Sequence, residues 1–449
     1  MSKRIALIGS KTVEYLEKLL EIWHECNCAC LFDNTIPPET LKDMLKEAKV
    51  ERCYIEEGMY AGFAEFKDIE LIFYSSNKKS IQKVPRELIE SFSPSYSRED
   101  AVVIYSSGTT GKSKGIVLSF WGINTNADYI SAQYAPDEIH TILVARNLFH
   151  SSTLVCDLLV ALKRKWEIVL SNFVSPKELF SAIYNYNISV LCLNPSILRI
   201  YNRYLIGNSL KDDFVSRIYS SGDGMDVETY KQTRECFLKA RIFNCYGLSE
   251  CGPRVTCSIR EIIHSSYLSV GKPLGDADII IVGESNEKLD AYEIGEILVK
   301  TPCIFSYYIS SDAQVIGDEN TWFHTKDLGF LDNEKNLYIV GRKDDMIIID
   351  AHKIYPKSVE DVIRKLEGIL DCFVFAVSLD SRKELVCVYE AEANILKQDL
   401  LSHCRSKLLH YEVPQRFIKH KVIRNSNGKI DRKGNLDLYH SIIRGKNDG

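Results

Sequence analysis

Short apolar strands alternating with helical patterns predict an α/β protein, with a large N-terminal domain of layered β-α-β sheets and a small α+β C-terminal domain. Three observations carry that prediction. First, residues 141–149 (TILVARNLF), 166–171, 188–194, 214–220 and 240–246 read as buried strands, and helical segments separate most of them. Second, the texture changes after Gly341-Arg342, where a helix, two strands and another helix follow in about a hundred residues. Third, 449 residues with 45% hydrophobic content are enough for about three domains or subdomains and a buried core.

The elements follow in order. Val13, Leu16, Leu20 and Trp23 recur at helical spacing, as do Leu41, Leu45 and Ala48. Ala101-Val102-Val103-Ile104-Tyr105 is a short apolar strand. The five strands named above come next, with no internal repeat or low-complexity linker. Beyond Arg342, Pro356 opens a helix carrying Val359, Ile363 and Leu366. The strands CFVFAVS and ELVCVYEA follow, and Leu400, Cys404 and Leu408 mark the apolar face of a further helix. The domains are therefore read as 1–340 and 346–449, joined by 341–345.

Composition excludes several classes. No run approaches the ~18 apolar residues of a membrane span. The N-terminal apolar stretch is too short for a signal peptide, so the expected location is the cytoplasm. In that reducing compartment the 14 cysteines should be thiols. Cys26, Cys28 and Cys30 alternate as one face of a strand does, with His24 nearby, but no second cluster completes a metal site. The net charge of −5 is uneven: residues 341–449 hold 20 Lys+Arg against 16 Asp+Glu. A solvated face explains most of that excess. Nucleic acid is not expected, because no recognition motif or aromatic interleaving accompanies the charge.

Residues 105–115, YSSGTTGKSKG, are the most informative stretch. Glycine lets the backbone turn where a side chain would clash. Successive N–H groups can then face one concavity and hold phosphate oxygens. Ser106, Ser107, Thr109 and Thr110 add hydroxyls, and Lys112 and Lys114 add charge. A P-loop NTPase motif, G-x-x-x-x-G-K-[ST], nearly fits. Gly111-Lys112-Ser113 satisfies its end, but its first glycine falls on Ser106.

The loop instead resembles the phosphate loop of the adenylate-forming superfamily, which includes acyl-CoA synthetases, aryl-CoA ligases, luciferases and adenylation domains. Like that loop it ends in Lys-Gly, here Lys114-Gly115, with Ser113 where the family has proline. Four more motifs follow in family order. Residues 246–250, YGLSE, resemble YGxTE. Residues 324–328, HTKDL, resemble the TGD motif, with Lys326 in place of glycine. Residues 341–345, GRKDD, resemble the hinge motif. Residues 427–432, NGKIDR, resemble the C-terminal lysine motif. The resemblance runs from about residue 5 to residue 436.

It implies a large domain with a small mobile lid, and a set of roles. Ser106, Ser107, Gly108, Thr109, Thr110, Gly111 and Lys114 would hold the ATP phosphates. Tyr246 would stack on adenine, and Ser249 would bond the α-phosphate. Glu250 would help bind Mg²⁺, a cation that prefers oxygen ligands. Asp327 would accept from the ribose hydroxyls, and Arg342 would approach ribose or phosphate. Asp344 would be the hinge, and Lys429 would bridge the acid and the nucleotide during adenylation.

LFHSS at 148–152 resembles the LFH motif of acyl- and aryl-CoA ligases. His150, at the end of a strand, and Ser151 would wall the acid pocket, and Ser221-Gly222-Asp223, at the end of another strand, would border both the acid and the adenine sites. Neither Ser151 nor Ser152 supplies the aspartate that amino-acid-activating relatives use, and Asp157 lies further on in the following helix. The implied function is ATP-dependent activation of a small carboxylic acid through an acyl-adenylate, followed by transfer to a thiol. LFH, and the IYP of residues 354–356, favour coenzyme A. The phosphopantetheine of a carrier protein is the alternative acceptor, and DAHK at 350–353 stands where the family has a glycine near the thiol tunnel. A rival of another class is a non-catalytic nucleotide or acyl-adenylate binder. The joint presence of Glu250, Asp327 and Lys429 argues against it.

Overall fold

The computed structural model describes residues 2–59, 69–77, 79–106, 114–172, 175–258, 261–264, 267–309, 316–350, 352–379, 382–391, 395–424 and 430–447. Among the described residues three larger sheets and a two-stranded ribbon, Ile263–His264 with Tyr267–Leu268, build the large domain. The first has seven strands, in the order Tyr307–Ile309, Lys114–Ser119, Asp100–Ser106, Cys28–Phe32, Arg4–Ile8, Arg52–Glu56, Glu70–Tyr74. Its last five strands are parallel, and Lys114–Ser119 and Tyr307–Ile309 add antiparallel pairs at one side. The helix Val13–His24 packs on it through Leu16, Leu19, Leu20 and Trp23, all buried, and Thr12 caps its first turn.

The second sheet has eight strands. Its parallel centre is Arg241–Tyr246, Arg217–Ser220, Val190–Leu193, Thr141–Val144 and Glu167–Ser171. These strands are buried on both faces, as apolar runs in parallel sheets are. The main core lies between the first and second sheets, filled by Trp166, Leu158, Leu159, Phe243 and Phe305 among others. A four-stranded antiparallel sheet, Asp278–Val282, Gly295–Lys300, Phe323–Leu331 and Leu337–Arg342, completes the large domain.

Beyond Arg342 a hairpin, Ile347–Ile349 with His352–Ile354, leads to the helix Pro356–Ile363. A separate three-stranded sheet follows, from Ile369–Leu379, Arg382–Ala391 and Arg416–Lys419, with its own core around Ile354, Val359, Ile363, Val374 and Cys387. The α/β class with a second, smaller α+β unit is therefore what the chain adopts. No helix among the described residues is long and apolar enough to cross a membrane.

Two local expectations are corrected. Residues 141–149 are not one strand, because pairing stops at Val144. The Lys11 ammonium captures the next two carbonyls, Ala145 at 2.7 Å and Arg146 at 2.8 Å, so they are diverted from any ladder. Cys26 does not share a strand face with Cys28 and Cys30. It precedes the strand in a left-handed conformation at φ 56° and is exposed, whereas the other two are buried.

Candidate active site

The C-terminal ends of the central strands of the second sheet open into a cavity of about 1150 Å³. In parallel sheets this is where ligands collect. The third sheet and the small domain close its other sides through Asp327, Arg342, Lys357 and Arg424.

YGLSE starts on the last residue of the strand Arg241–Tyr246 and leaves it in a sharp turn. A Cβ on Gly247 would lie 1.9 Å from the Pro253 carbonyl oxygen, so only glycine permits this approach. The turn aims Ser249 at the LFHSS segment, and the Ser249 and Ser151 hydroxyls share a hydrogen bond at 2.7 Å. Two motifs 98 residues apart thus meet at one point of the cavity wall. Glu250 is held from the far side. The Tyr308 hydroxyl donates to its Oε1 at 3.0 Å, and the Lys114 ammonium lies 5.4 Å from the Tyr308 ring centre. Burial and the Glu250 charge push the Tyr308 phenol well above its ordinary value, so it remains a proton donor.

Asp327 and Arg342 face each other across the adjacent strands of the third sheet. Arg342 Nη1 donates to Asp327 Oδ1 at 3.1 Å, and the Tyr246 hydroxyl donates to Asp327 Oδ2 at 2.7 Å. Burial first, then the Asp327 charge, holds the Tyr246 phenol far above its usual range. Lys326, where the family has glycine, sits at φ 60°. It lies in a bulge where the register of Phe323–Leu331 against Gly295–Lys300 shifts. Its ammonium lies 3.8 Å from the carboxylate of Asp344, the expected hinge residue.

On the acid side, His150 is not at a strand end. It stands six residues beyond Val144, in the turn before Ser152–Leu159, because the strand stops where Lys11 captures the carbonyls. Ser152–Leu159 winds as a π-helix and continues into the α-helix Val160–Lys163. It carries Asp157, fully buried, which accepts from Arg146 Nη2 at 2.9 and 3.1 Å. Asp157 is therefore occupied by an arginine. Arg146 Nη1 also donates to Ser221 Oγ at 3.1 Å, tying the Ser221-Gly222-Asp223 turn to this pair. Burial opposes the Arg146 charge, but the Asp157 carboxylate outweighs it and holds the group above its ordinary value.

Lys357, from the small domain, lies against the same turn, and a Cβ on Gly224 would lie 2.2 Å from its Cε. Its ammonium pairs with Asp361 at 3.0 Å.

The structure brings Ser151, His150, Ser221, Gly222, Asp223, Tyr246, Ser249, Glu250, Asp327, Arg342 and Lys114 to one cavity. Ser106 pairs with Lys114 across the strand ends that flank the phosphate loop. Ser107, Gly108, Thr109, Thr110, Gly111 and Lys429 lie outside the described residues. Sequence reasoning missed Tyr308, Arg146, Arg254 and Lys357. A charge inside an apolar run, as in TILVARNLF, was the available signal for Arg146. Tyr308 carries no local signal, since its strand joins the first sheet from across the chain. Among the described residues no cluster of three or more His, Cys, Asp or Glu side chains forms a metal cage.

A layered α/β domain and a small α+β domain thus enclose a cavity of paired hydroxyls, carboxylates and cations. The AMP-binding enzyme family model matches residues 2–309, and the chain belongs to that family. Among its relatives is a long-chain-fatty-acid–CoA ligase of Escherichia coli O157:H7, 28% identical over 345 residues that cover 74% of this chain and 60% of the relative. A 2-succinylbenzoate–CoA ligase of Lactococcus lactis is 26% identical over 433 residues, covering 96% of this chain and 89% of the relative. The chain spans about 60% of the length of the fatty-acid relatives it matches. The fold is also that of ATP-bound MatB from Rhodopseudomonas palustris, at TM-score 0.83, 20% identity and coverage of 98% and 90% of the two chains. MenE from Bacillus subtilis with OSB-AMP gives 0.79 at 21% identity and coverage of 96% and 87%.

Proposed function

We propose that this protein activates a small carboxylic acid with ATP and passes the acyl group to the thiol of coenzyme A. The observation that carries the reading is the meeting of Ser249 with Ser151 in a cavity that also holds Glu250 and the Tyr246–Asp327–Arg342 cluster. In the first half-reaction a carboxylate oxygen bonds to the α-phosphorus, and the bond to pyrophosphate breaks. Ser249 donates to the α-phosphate, and Ser151, whose hydroxyl meets it at 2.7 Å, aligns it. The Asp327 carboxylate, steered by Tyr246 and Arg342, accepts from the ribose. In the second half-reaction the thiol sulfur bonds to the acyl carbon, AMP leaves, and the thiol proton passes to solvent.

The relatives named as CoA ligases support coenzyme A as the acceptor. Mg²⁺ suits the donor set: one carboxylate, Glu250, together with phosphate oxygens rather than an all-protein cage. When bound, it would neutralise charge on the phosphates. We assign residues 341–345 as the hinge, with Asp344 at its centre, 1–340 as the domain binding acid and ATP, and 346–449 as the lid carrying Lys429. A cytoplasmic setting accords with fourteen cysteines that are all thiols.

The test is acid-dependent pyrophosphate release with ATP and Mg²⁺, followed by mass detection of acyl-CoA. Pyrophosphate release with CoA acylation is the expected result. Acyl-AMP that loads only a phosphopantetheinylated carrier protein replaces coenzyme A with the carrier. ATP binding without release of its pyrophosphate in the presence of any acid overturns the enzyme reading.

A further inference from the structure

Arg254 lies four residues past Glu250, is 3% exposed and lines the cavity. Its backbone is fixed from both sides by Asn126, whose Oδ1 accepts from the Arg254 N–H at 3.1 Å and whose Nδ2 donates to the Arg254 carbonyl at 2.8 Å. Among the described residues its guanidinium pairs with no carboxylate. Nη2 is buried and makes no hydrogen bond. What surrounds the charge is the ring of Tyr219, with its centre 4.9 Å away, and the sulfurs of Cys156, Cys245, Cys257 and Cys192.

The other well-buried arginines differ. Arg146 holds Asp157, Arg199 holds Asp226, Arg217 holds Glu138 and Arg364 holds Asp371. A buried cation left without an anion is unfavourable, and a ring face with thiols compensates it weakly. The location points to the acid rather than to the phosphates. Cys156 is on the helix that follows LFHSS, and Cys192 is the penultimate residue of the central strand Val190–Leu193. Both thiols feel Arg254, Arg146 and Asp157 together. Arg146 is already neutralised by Asp157, so among the described residues Arg254 is the charge left over on this wall.

We propose that Arg254 anchors a second anion subsite in the acid pocket, and that the acid this protein takes is a dicarboxylic acid. One carboxylate is the group activated, and the other pairs with Arg254. This rests on the ligase reading for the identity of the pocket, but not for the existence of the subsite. A site built around a buried charge rejects the analogue that lacks the partner group, because the charge is then left unpaired.

The experiment uses matched acids with the full chain: straight-chain monoacids against α,ω-diacids of the same length, and benzoate against the benzenedicarboxylates. Binding is read by calorimetry and turnover by pyrophosphate release. The unmodified protein is expected to favour the best diacid over its monoacid by on the order of 10–100-fold. Arg254→Met is expected to erase that ratio, and Arg254→Lys to keep part of it. Monoacids binding as well as diacids, no diacid binding at all, an unchanged ratio in Arg254→Met, or equal loss for both acid classes each overturn the proposal. If Arg254→Met does not fold, the ratio in the unmodified protein decides alone. Arg254-dependent diacid binding with no pyrophosphate release keeps the subsite and removes the ligase reading. Turnover confined to monoacids does the reverse.

Discussion

A single lysine organises the acid side of the cavity from behind. Lys11 is 5% exposed, and its ammonium holds the carbonyls of Ala145 and Arg146, which sets where Arg146 meets Asp157. Burial pulls its value down to about 7 from 10.5, with Asp157 opposing. Between those values the unfolded chain binds the proton and the folded chain largely does not. Stability therefore rises with pH across that window, by up to roughly 1.4 kcal/mol per unit. Lys11→Met removes the titration. The urea midpoint of the native protein relative to Lys11→Met should climb from pH 7 towards 10, read by tryptophan fluorescence. All four tryptophans precede residue 341, so the signal reports the large domain. A difference that stays flat with pH refutes the assignment.

Lys429 is the second prediction at this scale. In the proposed adenylation its ammonium would be needed while two anions are forced together, and that repulsion would disappear once the mixed anhydride exists. Lys429→Ala should slow adenylation by on the order of 10²–10³ and barely affect thioester formation from pre-made acyl-AMP. Single-turnover rates of the two halves decide it, and equal slowing of both removes the role.

At the scale of the element, the bulge in Phe323–Leu331 places Lys326 at φ 60°. A side chain there costs about 1 kcal/mol that glycine avoids. The Lys326–Asp344 contact is long and exposed, 3.8 Å with side chains 57% and 38% accessible, and compensates little. Lys326→Gly should raise the urea midpoint by the equivalent of about 0.5–1 kcal/mol, and Lys326→Val should lower it. A less stable glycine variant means that the lysine makes a contact worth more than the strain.

The same strand shows what could be read in advance. HTKDL placed Asp327 in the cavity, and the lysine-for-glycine departure marked the one position where backbone geometry is demanding. Helical spacing located Val13–His24 because one face repeats every turn. What local pattern could not supply was partnership across the chain. Tyr308 reaches Glu250 because Tyr307–Ile309 pairs with Lys114–Ser119, and the second half of TILVARNLF leaves the sheet where a lysine 134 residues earlier claims the Ala145 carbonyl.

The two domains of the whole molecule meet through a buried charge cluster. Asp371, on the first strand of the small domain's sheet and 1% exposed, accepts from Arg364 at 2.7 Å and from Arg424. It also lies 3.7 Å from Arg199 of the large domain, while Arg424 reaches across to Ser196 at 3.2 Å. Arg203 adds a bond to the Leu370 carbonyl at 2.6 Å. Burial alone would raise the Asp371 carboxyl, but Arg364, Arg199 and Arg424 outweigh it and hold it well below the usual carboxylate range. A depressed carboxylate contributes its stability above its unfolded value of 3.8 and loses it only as pH falls through the lower folded value. Mild acid should therefore leave the docking intact, and substitution is the way to release it.

Asp371→Asn keeps the volume and removes the charge. Arg364 retains Glu360 and Asp361, and Arg199 retains Asp226, so the expected loss is about 1–3 kcal/mol, the scale of a charged hydrogen bond. That is enough to populate undocked lids, seen as a larger radius of gyration and as faster trypsin cleavage at 341–345. Arg199→Met should do the same from the large-domain side. Because both act on one contact, the double variant should release the lid scarcely more than either single one. Additive effects would mean that the cluster is two independent contacts and that something else holds the lid.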